Sequence, residues 1–413
     1  MCPMCPRKAS RVCRGASHDR WNLPAFAILA AAWSAVSWMP PAPAGDVERV
    51  EVRSADGRRT VEGAVLVESL DGGLLLELPD ERLEILQPDS IVSRATVDRP
   101  AAAETPRERG QRILGELPPG FDLLVTKHYV ICFDTSRAYA QWCGALFERL
   151  HDAFGNFWRQ ADFPLVDPGR PLTVVIFSDR RRYEAVAARD LGAATDRVVG
   201  YYNMLNNRVT TFDLTGSDMP GHKPGRSAGR AGLEILASPE AAGLVATLVH
   251  EATHQMAFNC GMHRRLAPVP LWVSEGIATY FETPDLTSGR GWRGIGGINK
   301  PRLERFLQSP RPGAIESIVL GDEPFRQADA AIDAYARAWA LTSFLVQTRK
   351  EAFVAYLRTL AEKEPLADDS PEQREKEFTA AFGASPAALE EPLLKYVARV
   401  SADAGRRGSR APE

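Results

Sequence analysis

The sequence predicts an α+β protein, a small antiparallel β-barrel followed by a larger unit of mixed sheet and helices. Three observations carry this. Residues 46–97 hold short alternating apolar runs, residues 121–214 mix apolar strand-like runs with helical spacing, and residues 299–400 are helical in pattern. The 413 residues are 45% hydrophobic and 25% charged, enough for a sizeable core and roughly two to three domains. A formal charge of −3 argues against a nucleic-acid or anionic-membrane partner. The basic clusters Arg180-Arg181-Arg182 and Arg406-Arg407 are short and read as solvated surface.

Residues 1–44 read as a signal peptide. Arg7, Lys8, Arg11, Arg14 and Arg20 precede an apolar run at 23–39, and Ala42-Pro43-Ala44 offers a small-residue cleavage site before Gly45. The run contains Pro24 and is shorter than the roughly 20 residues of a stable span. A secreted or periplasmic protein with no stable membrane span after cleavage is expected, although the long basic stretch leaves open an upstream start or an uncleaved anchor. Cys2, Cys5 and Cys13 fall in the segment to be removed, so the Cys2-x-x-Cys5 pair is discounted. Cys132, Cys143 and Cys260 remain, an odd number that leaves at least one thiol free or intermolecular, and the apolar surroundings of Cys132 predict its burial.

In the 45–97 unit, runs at 47–52, 61–68, 73–78 and 82–87 are separated by Asp56-Gly57, Asp71-Gly72 and Asp80-Glu81. This predicts an SH3-like barrel without a chemical motif, a positioning or binding module. Residues 98–120, rich in Ala, Pro, Glu and Arg, read as a linker. The main unit spans 121–400. Its order is a strand at 128–133, a helix at 136–160, a buried strand at 171–177, a helical turn at 180–188 and a hairpin of 200–202 with 208–214, turning at Asn206-Asn207. Residues 218–230, rich in Gly, Pro, Lys and Arg, predict a mobile loop or lid, and 401–413 a disordered tail.

One motif carries chemistry. His250-Glu251-Ala252-Thr253-His254 lies within an Ala, Leu, Val and Met rich stretch at 243–258. Ser238-Pro239-Glu240 precedes it and Asn259-Cys260-Gly261 stops it, so the motif sits in mid-helix. Positions i and i+4 share a face, letting both imidazoles converge on one ion, while Glu251 lies one residue round and reaches a water as base without ligating. With seven His in the chain, a chance match is of order 1%. The alternative is a buried helix with two satisfied histidines, costly on an apolar face.

A catalytic site wants a third ligand and an open position. Cys260 and Ala257 stand where another zinc-peptidase pattern has His and Gly, and His263 follows the helix stop, so it reads as a rim residue. Pro270-Leu271-Trp272-Val273-Ser274-Glu275-Gly276 opens a second helix whose one early acid is Glu275. Packed against the first helix it would aim Glu275 at both histidines. The alternative for Glu275 is a solvated charge.

With Trp272-x-x-Glu275-Gly276-x-Ala278-x-Tyr280 the motif resembles the gluzincin metallopeptidases of the peptidase MA type, and in particular the secreted bacterial proteins catalogued as DUF1570. The resemblance covers roughly residues 120–350, with Gly200-Tyr201-Tyr202, Asn259-x-Gly261 and Tyr335-x-x-x-Trp339-x-Leu341. It implies a zincin-like domain with a C-terminal helical subdomain, one Zn2+ held by His250, His254 and Glu275, and Glu251 as general base. It also implies Tyr335 as oxyanion donor, against a core tyrosine packed on Trp339, and 208–213 as an edge strand that pairs with substrate, against plain sheet edge. One position departs: Thr279 stands where many gluzincins have an Asp that orients the first histidine.

The expected function is a secreted zinc peptidase acting on peptide or protein substrates through a metal-activated water. Two alternatives stay open, a catalytically silent binding protein on the same scaffold and a zinc amidase acting on cell-wall peptide. Manganese or cobalt could use the same donors.

Overall fold

A computed structural model describes residues 47–408 except 55–56, 98–103, 193–194, 196–197, 216–241, 284–293 and 310. The expected signal peptide, the loop at 218–230 and the helix start at 238–240 lie outside the described residues. The chain is α+β, with two five-stranded sheets and most helices in the C-terminal half.

The first sheet comprises β1 (Val47–Ser54), β2 (Gly57–Glu68), β3 (Leu74–Glu77), β4 (Leu83–Leu86) and β5 (Ile91–Val97) in the order β4-β3-β2-β1-β5, antiparallel throughout. Alternation turns Val50, Val52, Val61, Leu74, Leu76 and Leu86 into a small core of their own. Gly72, at φ 89°, makes the β2–β3 turn. Strand β5 has no fully buried residue, so its pattern in the sequence is faint and only its register with β1 defines it. Among the described residues no pairing of β4 with β5 closes the sheet, so the expected barrel is an open five-stranded order.

The expected linker contains a helix. In α1 (Pro106–Glu116), Thr105 and Glu108 cap reciprocally, Pro106 opens the first turn, and Ile113 is buried. Gly110 leaves room for the Leu123 side chain, which a Cβ there would strike. Its charged outer face gave the segment a linker-like composition.

The second sheet comprises β6 (Asp122–Val125), β7 (Tyr129–Phe133), β8 (Leu172–Phe177), β9 (Gly200–Asn203) and β10 (Arg208–Phe212), ordered β6-β7-β8-β10-β9. Strands β7, β8 and β10 run parallel. Every residue of β7 and β8 is buried, as expected of strands covered on both faces. The crossover helices are α2 (Arg137–Gln160), capped by Ser136, and α3 (Arg180–Leu191), capped by Asp179. Strand β10 is internal, bonded to β8 on one side and β9 on the other. This corrects the expectation that 208–213 forms the sheet edge: the hairpin returns outward, so the free edge belongs to β9.

The remaining helices are α4 (Ala242–Asn259), α5 (Leu271–Phe281), α6 (Lys300–Gln308), α7 (Ala314–Leu320), α8 (Glu323–Arg326), α9 (Ala331–Thr348), α10 (Lys350–Ala361), α11 (Pro371–Phe382) and α12 (Pro386–Gly408). Helix α4 packs on β9, β10 and α5, and α9 crosses both α5 and α6. Residues 401–408, expected as disordered tail, continue α12, whose Leu389, Leu393 and Val397 form a buried stripe. No helix among the described residues is long and apolar enough to cross a membrane.

Candidate metal centre

Helix α4 is buried on nearly all sides, from Val245 to Phe258, which explains its lack of an amphipathic pattern. Gly261, at φ 80°, reverses the chain behind it, with the Cys260 N–H on Met256 O and the His263 N–H on Ala257 O. Helix α5 has no side-chain cap of its own at Pro270. Instead Asp322, from the start of α8, accepts the Leu271 N–H at 3.0 Å and is itself gripped by Arg374 at 2.8 and 3.1 Å. The next helix lies close: a Cβ on Gly276 would collide with Thr342 Oγ1 and sit 3.0 Å from the Ala338 carbonyl of α9.

These two helices bring His250, His254 and Glu275 together, all buried. The Nε2 atoms of His250 and His254 are 3.1 Å apart, and Glu275 Oε2 is 3.1 Å from the first and 3.4 Å from the second. A tetrahedral ion with bonds of about 2.0–2.1 Å sets its donors roughly 3.3 Å apart. The two imidazole planes cross at 81°, so neither ring blocks the other's lone pair. The donor set therefore fits a divalent cation, and two nitrogens with one carboxylate suit zinc among others.

Electrostatics agree. Burial alone would lower the His250 pKa, but the hydrogen bond and charge of Glu275 outweigh it and lift it to about 9. Burial likewise opposes ionisation of Glu275, yet His254 and His250 hold it down to about 2. Glu275 is thus held toward its ionised form and His250 is drawn to positive charge, which a cation can supply. Behind the donors, His250 Nδ1 is buried without a hydrogen-bond partner. Thr279, at the departing position, spends its hydroxyl on its own helix, at the carbonyls of Glu275 (2.7 Å) and Gly276 (3.0 Å).

Glu251 is partly exposed beside the cluster, and its Oε2 accepts the Tyr202 N–H of edge strand β9 at 2.8 Å. Burial raises its pKa above the ordinary carboxylate value, against the pull of His250 and His254. Tyr335, half-buried on α9, has its ring centroid 6.2 Å from that of His250 and 5.7 Å from that of Phe325. Arg302, paired with Glu282 at the end of α5, sits 5.4 Å over the same ring. Tyr335 thus faces the cluster, and burial pushes its phenol pKa well above the ordinary value.

His263 is a correction. Read as a rim residue, it is 1% exposed and packs edge-on against Phe258, with ring centroids 5.2 Å apart. Burial pulls its pKa down to about 3, and its Nε2 has no partner. The turn at Gly261 folds it inward. Cys132, Cys143 and Cys260 are all buried free thiols.

A second group, His128, His151 and Asp152, also brings ligand atoms close. Its imidazoles stack face to face at 3.8 Å and 16°, so their lone pairs run side by side rather than converge, and Glu148 takes His128 Nδ1 at 2.6 Å. That geometry does not fit one ion. Sequence reading missed the Asp322 cap, the Tyr202 contact and the Arg302–Glu282 pair, none of which leaves a local trace; the tight helix crossing does leave one, in Gly276 next to Glu275.

The fold and site define an α+β protein with a buried His-His-Glu candidate metal centre. Residues 244–367 match the model of a family described as Protein of unknown function (DUF1570), a stretch that holds all three donors, Glu251 and Tyr335. The resemblance to that family is supported there. No curated protein matches the chain.

Proposed function

We propose that this chain is an exported zinc-dependent peptidase of gluzincin type, with a zincin-like main domain and a small SH3-related sheet before it. The observation that carries the proposal is the convergence of His250, His254 and Glu275 with Glu251 alongside. A bound divalent cation would supply Lewis acidity, polarising a carbonyl and lowering the pKa of a water to about 7. The protein's residues do the rest. His250, His254 and Glu275 would hold the ion. Glu251, its carboxylate fixed by the Tyr202 N–H, would take the proton from the attacking water and return it to the leaving amine. Tyr335, kept protonated by its raised pKa, would donate its O–H to the developing oxyanion. An extended peptide backbone would pair along edge strand β9 at groups other than the Tyr202 N–H, which Glu251 already accepts.

The test is metal analysis combined with cleavage of a mixed peptide library by wild type and Glu251→Gln. Expected are one zinc per chain in both proteins and a rate about 10²- to 10⁴-fold lower in the variant. Zinc in both with cleavage by neither would favour a silent binding scaffold.

A further inference from the structure

We propose that the small N-terminal sheet is a brace for the active centre, with Glu81 and Tyr202 as positioning residues; this rests on the reading of Glu251 as base. Three hydrogen bonds make a continuous chain. Glu81 Oε2 accepts from Asn207 Nδ2 at 3.3 Å, Asn207 Oδ1 accepts from the Tyr202 hydroxyl at 2.8 Å, and the Tyr202 N–H donates to Glu251 Oε2 at 2.8 Å. One end lies in the turn between β3 and β4, the other beside the His-His-Glu cluster.

The β9–β10 turn at the middle of this chain is clamped from several sides. Asn207 and Asn259 exchange side-chain hydrogen bonds at 2.7 and 2.8 Å, tying the turn to the last residue of α4. Gln255 of α4 donates to the Asn207 carbonyl at 3.0 Å. From the small sheet, the Leu83 N–H reaches the Leu205 carbonyl at 2.7 Å. Arg265 bridges both units, donating to the carbonyls of Glu81 (2.7 Å) and Met204 (3.1 Å) and to Glu77 Oε1 (2.6 Å).

The backbone records the cost of this junction. Glu81, Asn207 and Leu266 have φ values of 68°, 57° and 61°, and they adjoin or belong to the clamp. Left-handed backbone at Glu81 and Leu266 is unfavourable and persists only where its surroundings demand it. Arg109, 3% exposed, donates to Glu81 Oε2 at 2.8 Å and fixes that carboxylate in place. Glu81 is thus held to accept from Asn207. With the turn fixed, β9 cannot shift along α4, and the Tyr202 N–H stays aimed at Glu251.

The test uses the full chain loaded with zinc, with Glu81→Ala, Glu81→Gln, Tyr202→Phe and the double variant Glu81→Ala/Tyr202→Phe. Rates are expressed per bound zinc at a temperature where all are folded. Expected are a three- to thirty-fold loss of kcat for Glu81→Ala and for Tyr202→Phe, KM within two-fold and one zinc retained. Partial rescue is expected in Glu81→Gln, whose side-chain oxygen can still accept from Asn207, and the double variant should lose less than the product of the single losses. Wild-type kcat per zinc in both single variants would overturn the brace, as would equal rates for Glu81→Ala and Glu81→Gln, or losses that simply multiply. Glu251→Gln, run in parallel, separates the two ideas: full activity there removes the base itself, whereas an inactive Glu251→Gln beside unaffected Glu81 and Tyr202 variants removes only the brace.

Discussion

His250 is gripped through one nitrogen only. Its Nε2 meets Glu275 and His254 while Nδ1 is buried without a partner, and Thr279 turns its hydroxyl back to its own helix. Carboxylate support of a ligand histidine is worth about 10- to 100-fold in metal affinity, so a metal ion bound here would be held less tightly than at a centre with an Asp at that position. Tyr335 is defined by its neighbours: it faces His250, with Arg302 over its ring, and its raised pKa keeps the hydroxyl proton available. Tyr335→Phe is expected to lower kcat by about ten- to a thousand-fold with zinc content unchanged, read from steady-state kinetics and metal analysis. An unchanged kcat would leave Tyr335 as packing. His250, His254 and Glu251 were legible in the sequence because four residues of helix put two rings on one face. His263 was not, because a single Gly in left-handed backbone decides whether the next residues turn outward or back onto Phe258.

Helices α5 and α9 touch at a glycine, and that contact brings Glu275 and Tyr335 to the same side of α4. A side chain at 276 would meet Thr342 Oγ1 and the backbone of Ala338, and backbone cannot give way cheaply. Gly276→Ala is therefore expected to destabilise the fold by about 1–3 kcal/mol and to weaken zinc binding, because α5 must move away with Glu275 on it. A urea titration with and without zinc checks both effects, and an unchanged midpoint would show that the crossing has slack. The start of α5 carries the same lesson. Its cap is Asp322, some fifty residues downstream and held by Arg374, a partnership that no local pattern announces. Strand β10 was legible as a strand from its apolar run, but its place inside the sheet was not, since period-two alternation says nothing about which neighbour lies on each side.

The small sheet and the main unit share main-chain and side-chain hydrogen bonds around Glu81, Arg265 and the β9–β10 turn. The candidate metal donors lie where α4 and α5 meet, so binding of an ion there would be coupled to folding: three polar groups at 8% exposure or less are costly to bury unless a cation or protons satisfy them. Removing zinc with a chelator at neutral pH should lower the thermal midpoint by several degrees. The expected loss approaches about 4 kcal/mol when free zinc had stood at a thousand times its Kd. Calorimetry before and after zinc is restored checks this, and an identical midpoint with the metal gone would mean that the folded centre holds no ion.

From its sequence alone this protein declared an α+β organisation, the helix that carries His250, Glu251 and His254, the acid on the helix after it and the family resemblance of the segment that carries them. Each of these rests on local spacing, and spacing along one helix or strand is written residue by residue. Tertiary structure alone decided that β9 rather than β10 is the free edge, that residues 106–116 are a packed helix, and that α12 extends through residues once expected to be loose. It also decided what holds each candidate site residue: the Tyr202 amide on Glu251, Asp322 at the head of α5, and the closeness of α9 that Gly276 permits. Such contacts join residues tens of positions apart, and their energies depend on distances that exist only once the chain has closed on itself.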